Sequence, residues 1–359
     1  MERFIKYRLG DIAEMRYGKL PPECIKSGTY PVYSGYRYVG YTDSFNCSKG
    51  TIIVVARGVG GTGDVKLIER DCYLTNLSIS VVLNPSICDP AYFYYKFLNN
   101  NLRYLDSGSA QSQITIDDLK RLEVSLPSLL EQQRVVRVLK SFDDKIVLNN
   151  RINHNLEEQA DCLISSAIET QSIGSVHLWD ICSYVTERVN CDTLTNENYI
   201  STDNMFANRG GVGIASTIPV GRCTSFKARD VLISNIRPYF KKIWRASFSG
   251  GCSNDVLCFR TTTGTSSFLY HLLRSDVFFE YVMSGAKGSK MPRGDKQHIL
   301  NWVIPAFEKE IIASLEGSLE VIDDRVAIIQ EENRRLSAIR DSLLPLLMNN
   351  GIRFNDLTC

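Results

Sequence analysis

The sequence has few histidines, no closely spaced cysteine pair, no long apolar run and almost no net charge. Its 41 Lys and Arg oppose 40 Asp and Glu, a formal charge of +1. The chain as a whole therefore lacks the basic excess of a protein that coats nucleic acid. No stretch approaches the roughly 18 consecutive apolar residues of a membrane span, and mean hydropathy is −0.12. Met1 to Arg8 contain no apolar core of a secretory leader. The eleven cysteines are odd in number, without a C-x-x-C spacing. They read as reduced thiols of a cytoplasmic chain rather than a disulfide or zinc framework.

What is present is enough for several folded units. At 359 residues, 44% hydrophobic and 23% charged, two or three domains with true cores are expected. Two stretches, 128–171 and 306–350, are rich in Leu, Ile, Glu, Gln and Asn and nearly free of Pro and Gly. Ser128 and Glu131 fit a capping box, and Glu308 and Glu310 place anions in a first helical turn. Val135, Leu139, Phe142, Ile146, Asn149, Asn153, Leu156, Ala160, Leu163 and Ala167 alternate spacings of three and four. Leu315, Leu319, Ile322, Val326, Ile329, Asn333 and Leu336 repeat the pattern. That 3.5-residue period predicts two coiled-coil helices of roughly 60 Å each, with seam asparagines fixing register.

The segments between them, 1–127 and 172–305, are strand-like. Thr51 to Val55, Leu77 to Leu83, Asp230 to Ile233 and Val256 to Phe259 are β-branched runs bounded by turn residues. Tyr92 to Leu98 and Phe268 to Leu273 read as short helices. The fold class is α+β: globule, long helix, globule, long helix and a tail at 351–359. This order is an internal repeat of about 178–180 residues. Arg8-Leu9-Gly10-Asp11-Ile12 matches His177-Leu178-Trp179-Asp180-Ile181, Leu126-Pro127 matches Ile304-Pro305, and Asp143-Asp144 matches Asp323-Asp324. Net charge follows the division, at +2, −2, +5 and −4 for 1–127, 128–171, 172–305 and 306–359. Basic heads on acidic helices suit a protein whose heads meet a polyanion.

Catalytic motifs fail on inspection. Gly58 to Gly63 matches G-x-G-x-x-G, but Asp64 to Ile68 continues as a strand and no acid follows at the ribose spacing. A hairpin loop is expected instead, its bare backbone close to a phosphodiester. Asn84-Pro85 lacks the rest of an amino-methyltransferase motif. His154, His177, His271 and His298 are dispersed, which argues against a metal or a triad. The Asp143-Asp144 and Asp323-Asp324 pairs read as helix-surface contacts.

Basic and amide-rich loops remain as candidate DNA contacts. In the first head these are Arg57 and Thr62, the Ser109, Gln111 and Gln113 segment, and the aromatic run with Tyr36 and Arg37. In the second they are Asn235, Arg237, Tyr239, Lys241 and Lys242, then Ser253 and Asn254, then Lys287, Lys290 and Arg293. Arg suits guanine's O6 and N7, Asn and Gln suit adenine's N6 and N7, and Lys, Ser and Thr suit phosphates.

With these residues in view, the chain resembles the specificity subunit of a type I restriction-modification enzyme. Four stretches carry the likeness: Val124 to Gln133 running into Phe142 to Asn153; Arg229 to Tyr239 with Gly250 to Asp255; Gly108 to Gln111; and the Ile322-Asp323-Asp324 helix. The resemblance implies two target recognition domains, each reading half of a bipartite, asymmetric double-stranded DNA site. It implies that the helices pair antiparallel, set the spacer and dock two modification subunits, which a restriction subunit joins. S-adenosylmethionine, ATP and Mg²⁺ would belong to those partners, with no catalysis and no cofactor on this chain. One departure is expected: Glu308 to Asp323 is 15 residues against 12 from Glu131 to Asp143, three extra in the second helix. Two rival readings are a DNA-modifying enzyme with an unrecognised site and a coiled-coil adaptor whose heads bind proteins. Turnover by the purified chain would mark the first, and the absence of salt-sensitive, sequence-specific DNA binding the second.

Overall fold

The computed structural model describes residues 4–35, 37–58, 61–106 and 112–348. Tyr36, Ser109, Gln111 and the tail at 351–359 lie outside the described residues. The chain forms two compact units, Met1–Val147 with Asn333–Cys359, and Leu148–Glu332. Each unit thus takes in a strand-rich head and parts of both long helices, Leu129–Gln171 and Lys309–Met348.

In the first unit, Ile5–Arg8 pairs with Glu123–Leu126. An antiparallel sheet follows in the order Ala13–Tyr17, Ser78–Leu83, Ile52–Val55, Val65–Leu67. Ile52–Val55 is a run of four β-branched residues with no exposed surface, and its alternation serves two cores. Ile52 and Val54 join Tyr92, Phe93, Leu139 and Leu344, while Ile53 turns to Cys47, Ile68, Cys72 and Leu74. The helix Pro90–Leu98 covers the larger core. Asp89 caps it, accepting from the amides of Ala91 (2.8 Å) and Tyr92 (3.1 Å), with Pro90 in the first turn.

The second unit repeats this order of connection. Gly174–His177 pairs with Val303–Ala306, and the sheet runs Cys182–Tyr184, Val256–Thr261, Val231–Ser234, Ile243–Arg245. Val231 and Ile233 join Phe259, Phe268 and Leu319, while Leu232 faces Phe226 and Trp244. A further sheet, Arg188–Asn190, Arg222–Phe226, Gly250–Cys252, Tyr199–Ile200, completes this head. The same hydrogen bond locks the entrance of both heads: Leu9 N donates to Leu122 O and Leu178 N to Trp302 O, each at 2.8 Å.

These contacts correct two expectations. Tyr7 faces Val124 and Val176 faces Ile304, so Pro305, opposite Ser175, takes the place of Ser125 rather than Pro127. A proline fits there because an edge position in a two-stranded ladder leaves its missing N–H unneeded. The three extra residues in the second helix are absent too. Leu129 to Asp143 and Lys309 to Asp323 are both fourteen residues, and Ser128 and Glu308 accept equivalent bonds from Gln132 and Ile312. Glu308 therefore matches Ser128, not Glu131.

Along the helices, Leu139, Asn149, Asn153 and Ile329 are buried. Phe142, Ile146, Leu156, Ile322, Val326, Asn333 and Leu336 are half-buried. Leu163 is 40% exposed and Ile164 is buried in its place. A helix of 3.6 residues per turn drifts from a strict 3.5 spacing, and here the drift moves the buried face by one residue. In the first unit Arg340 Nη1 donates to Asp143 Oδ1 at 2.6 Å. In the second, Asn149 Nδ2 donates to Glu332 Oε2 at 2.8 Å.

The Asp pairs are more deeply used than helix-surface residues would be. Asp143 accepts from Tyr95 Oη at 2.6 Å. Asp323 is buried, 2.9 Å from His271 Nε2 and 3.6 Å from Arg245 Nε. Dispersed in sequence, His271 is thus brought to a carboxylate by folding. Beside it, Arg274 donates to Asp161 (2.8 Å) and Glu157 (3.0 Å), and Glu316 accepts from the amides of Ser267 and Phe268.

Candidate nucleic-acid interface

In the first unit the predicted loops converge where strand Ile52–Val55 ends. Arg57 forms an isolated antiparallel bridge with Gln113, and Ile114 N donates to Ala56 O. Asp106 holds the incoming segment by accepting from Gln113 N at 2.8 Å. Gly35, at φ +61°, packs against the Arg57 carbonyl, so the loop leading to Arg37 joins the same place. Arg57 and Arg37 are exposed there, and Gln113 is half-buried.

One expectation fails at the glycine loop. Thr62 is only 3% exposed and its hydroxyl donates to Gly58 O at 3.1 Å, so it secures the loop from within. Gly63 has φ +91°, and a Cβ there would lie 2.3 Å from Arg103 N. At Gly63 the close approach that demands glycine is to the turn Leu102–Leu105.

In the second unit four loops meet. Ile236 bridges Arg293, which also bridges Lys287, and Arg237 N donates to Pro292 O. Asn235 N donates to Asp255 O. Asn208 N and Arg209 N donate to the carbonyls of Phe240 and Lys241. Asn208, Arg209, Arg237 and Lys241 all have φ between 51° and 62°. Left-handed backbone at non-glycine residues is costly, and four cases in one cluster mark a turn that the surroundings must hold. Asp276 supplies much of that hold. Lys241 Nζ reaches it at 2.8 Å and Arg209 also pairs with it, so these cations pull its carboxyl down to about 2.

The cations divide into two groups. Lys241 pairs with Asp276, Lys287 with Asp295 (2.7 Å) and Arg293 with Asp255 (3.1 Å). Lys287, aided by the amides of His298 and Gln297, draws Asp295 down to about 2. Lys242 Nζ donates to Thr202 O at 2.6 Å. These four brace loops. Arg57, Arg237 and Lys290 have no acidic partner among the described residues; Arg57 and Lys290 are exposed and Arg237 is half-buried. Arg237 Nε and Asn235 Oδ1 are buried without a hydrogen-bond partner, a poised donor and acceptor in one loop. Tyr239 and Phe240 are 47% and 37% exposed with ring centroids 4.7 Å apart. Ser253 begins a tight turn closed by Val256 N to Ser253 O, with Asn254 exposed within it.

Sequence reasoning missed Arg188 and Arg222. They come from the further sheet, far from Asn254 in sequence, and only strand pairing brings them to it. Arg188 Nη1 donates to Asn254 Oδ1 at 2.9 Å, and each arginine donates to the other's carbonyl. Arg209 carried a weak signal, standing before Gly210-Gly211 in a turn. The thiols lie apart from this chemistry. All ten described cysteines are free, and burial raises Cys88 and Cys182 to about 12. Among the described residues no cluster of His, Cys, Asp or Glu could hold a metal, and no helix is long and apolar enough to cross a membrane.

The geometry defines a mixed helix-and-sheet protein with two long helices and two strand-ended loop clusters bearing outward-facing cations, amides and aromatic rings. Residues 1–158 match the family model described as the type I restriction modification DNA specificity domain. Over 159 residues the chain is 30% identical to a protein of Mycoplasma pneumoniae assigned as a type I specificity subunit, covering 42% of each. Over 115 residues it is 28% identical to the HindI specificity subunit of Haemophilus influenzae, covering 30% of this chain and 25% of that protein. The aligned stretches span less than half of either relative. The S subunit of a type I restriction-modification system from M. genitalium shares the fold, with a TM-score of 0.63 at 19% identity over 96% of both chains.

Proposed function

We propose that this chain is the DNA-reading subunit of a type I restriction-modification complex, with one recognition domain in each unit. One observation carries the reading: the same bridge recurs in both units. Arg57 with Gln113, and Ile236 with Arg293, tie the end of the second sheet strand to the segment entering the last helix of the head. Both bridges sit among polar loops on sheets of identical strand order. The first lies inside the specificity-domain match at 1–158, and the second unit repeats its plan. Duplication is further supported by the equal helix starts and by Asp143 and Asp323, each held from its head's helix by Tyr95 or His271.

In this reading each head recognises half of a bipartite duplex site. Outward cations neutralise phosphates while amides and Arg237 face base edges. The two long helices pair antiparallel, an arrangement supported by Asp143 with Arg340 and Asn149 with Glu332. They set the spacer and offer the surface on which two modification subunits dock, with restriction subunits completing the complex in the prokaryotic cytoplasm. S-adenosylmethionine, ATP and Mg²⁺ act on those partners, and this chain is not catalytic.

The test is selection of duplexes from a random library by the full chain, followed by binding across salt concentrations. Two short conserved blocks separated by a fixed gap are expected. Affinity should fall steeply with salt, by about 10³-fold or more between 50 and 200 mM if six or more phosphates are neutralised. One continuous block, or no enrichment, overturns the reading.

A further inference from the structure

The tight turn Ser253 to Val256 is held from three sides. Asn235 N donates to the Asp255 carbonyl, Arg293 pairs with the Asp255 carboxylate at 3.1 Å, and Arg188 grips the Asn254 side chain. Arg188 is itself anchored, since Nη2 donates to Arg222 O at 3.0 Å and Nη1 approaches Thr224 Oγ1 at 3.4 Å. Both Asn254 and Arg188 are exposed at the rim of the loop cluster.

This contact settles how the Asn254 amide is oriented. A guanidinium only donates, so the atom 2.9 Å from Arg188 Nη1 must be the carboxamide oxygen, and the NH₂ group points the other way. Among the described residues nothing accepts from that NH₂. An asparagine reads adenine by accepting from N6 while donating to N7. With its oxygen already held by a cation, Asn254 keeps donation as its main capacity. Guanine, whose O6 and N7 both accept, matches two amide N–H groups.

We propose that Arg188 is a positioning residue that turns Asn254 into a mainly donating reader of an acceptor base edge, favouring guanine over adenine at one position of the half-site met by the second unit. The inference rests on the DNA-reading assignment above and specifies its chemistry. It also replaces the general pairing of asparagine with adenine at this position.

The experiment compares wild-type chain with Asn254→Ala, Asn254→Asp, Arg188→Ala and Arg188→Lys in the duplex selection. Asn254→Ala identifies the position by losing preference there alone. At that position wild type should favour guanine over adenine on the order of tenfold. Arg188→Ala, which frees the oxygen, should bring that ratio close to one while other positions keep theirs. Asn254→Asp, an acceptor held by Arg188, should shift preference toward cytosine, whose N4 donates. Thermal melting verifies that each variant folds, and Arg188→Lys retains the charge if loss of cationic character unsettles the sheet. Equal weakening on every sequence, as a phosphate contact gives, overturns the proposal. So does an Arg188 effect at a different position from that of Asn254. A wild-type chain that enriches no motif instead sinks the DNA-reading assignment itself, a separate outcome.

Discussion

Single residues in this protein divide between those that face outward and those that hold them in place. Asp276 belongs to the second kind. It sits between Arg209 and Lys241, two residues whose left-handed backbone shapes the turn carrying Arg237 and Tyr239. Because its carboxyl titrates near 2 against an ordinary 3.8, its ion pairs stabilise the folded chain above about pH 4. That contribution is lost as pH falls through about 2. Asp276→Asn should therefore lower stability by a constant amount at neutral pH, and the gap to wild type should close between about pH 4 and 2. Because the carboxylate is largely exposed, the gap should be about 1 kcal/mol or less. Urea titrations of both proteins across that range would measure it, and a gap independent of pH contradicts the assignment. DNA binding should fall more than stability does, since the turn loses its brace without losing its core.

At the scale of elements, the heads are fixed to the helices by polar contacts of unequal depth. Asp323 lies among His271 and Arg245, with side chains 8%, 1% and 11% exposed. Asp143 and Arg340 are 29% and 20% exposed. Removing one member of a buried charged set strands the others, whereas a wetter pair recovers solvent. Asp323→Ala should cost about 3–5 kcal/mol and Asp143→Ala about 1.5–3 kcal/mol, read by chemical denaturation. A larger loss at Asp143 would reverse the argument. Leu139→Asp, with the leucine fully buried, should prevent folding of the first unit. The long helices and main strands were legible because period and β-branching are local properties: Ile52–Val55 and Pro90–Leu98 emerge where the sequence places them. Ile116–Arg121 and Asp276–Ser284 escaped notice because they are short and depend on caps by Thr115 and Ser275. The place of Pro305 depended on strand register, which two matching prolines concealed. The candidate interface was legible as loop composition, yet which cations face outward was not. Lys241, Lys287 and Arg293 look free in sequence and find their acids only through folding.

For the molecule as a whole, the proposed role of the helices makes a demand that no single side chain makes. Leu129–Gln171 is one continuous helix whose first part belongs to one compact unit and whose remainder belongs to the other. If it and Lys309–Met348 set the spacing of two reading heads, their length converts into base pairs. Removing residues 150–156 together with 326–332 deletes one seven-residue heptad, two turns of the 3.5 period, from facing stretches, as the Asn149 to Glu332 contact aligns them. Whole repeats keep each remaining seam residue on its face, so the heads retain their orientation to the helices. The loss is about 10 Å of rise, or roughly 3 base pairs at about 34 Å per DNA turn. Selection with the shortened chain should yield the same two half-site blocks with a gap shorter by that amount. Removing two residues from each helix instead should turn the buried face by roughly 200° and abolish binding rather than shorten the gap. Changed blocks with an unchanged gap would show that the helices carry no length information.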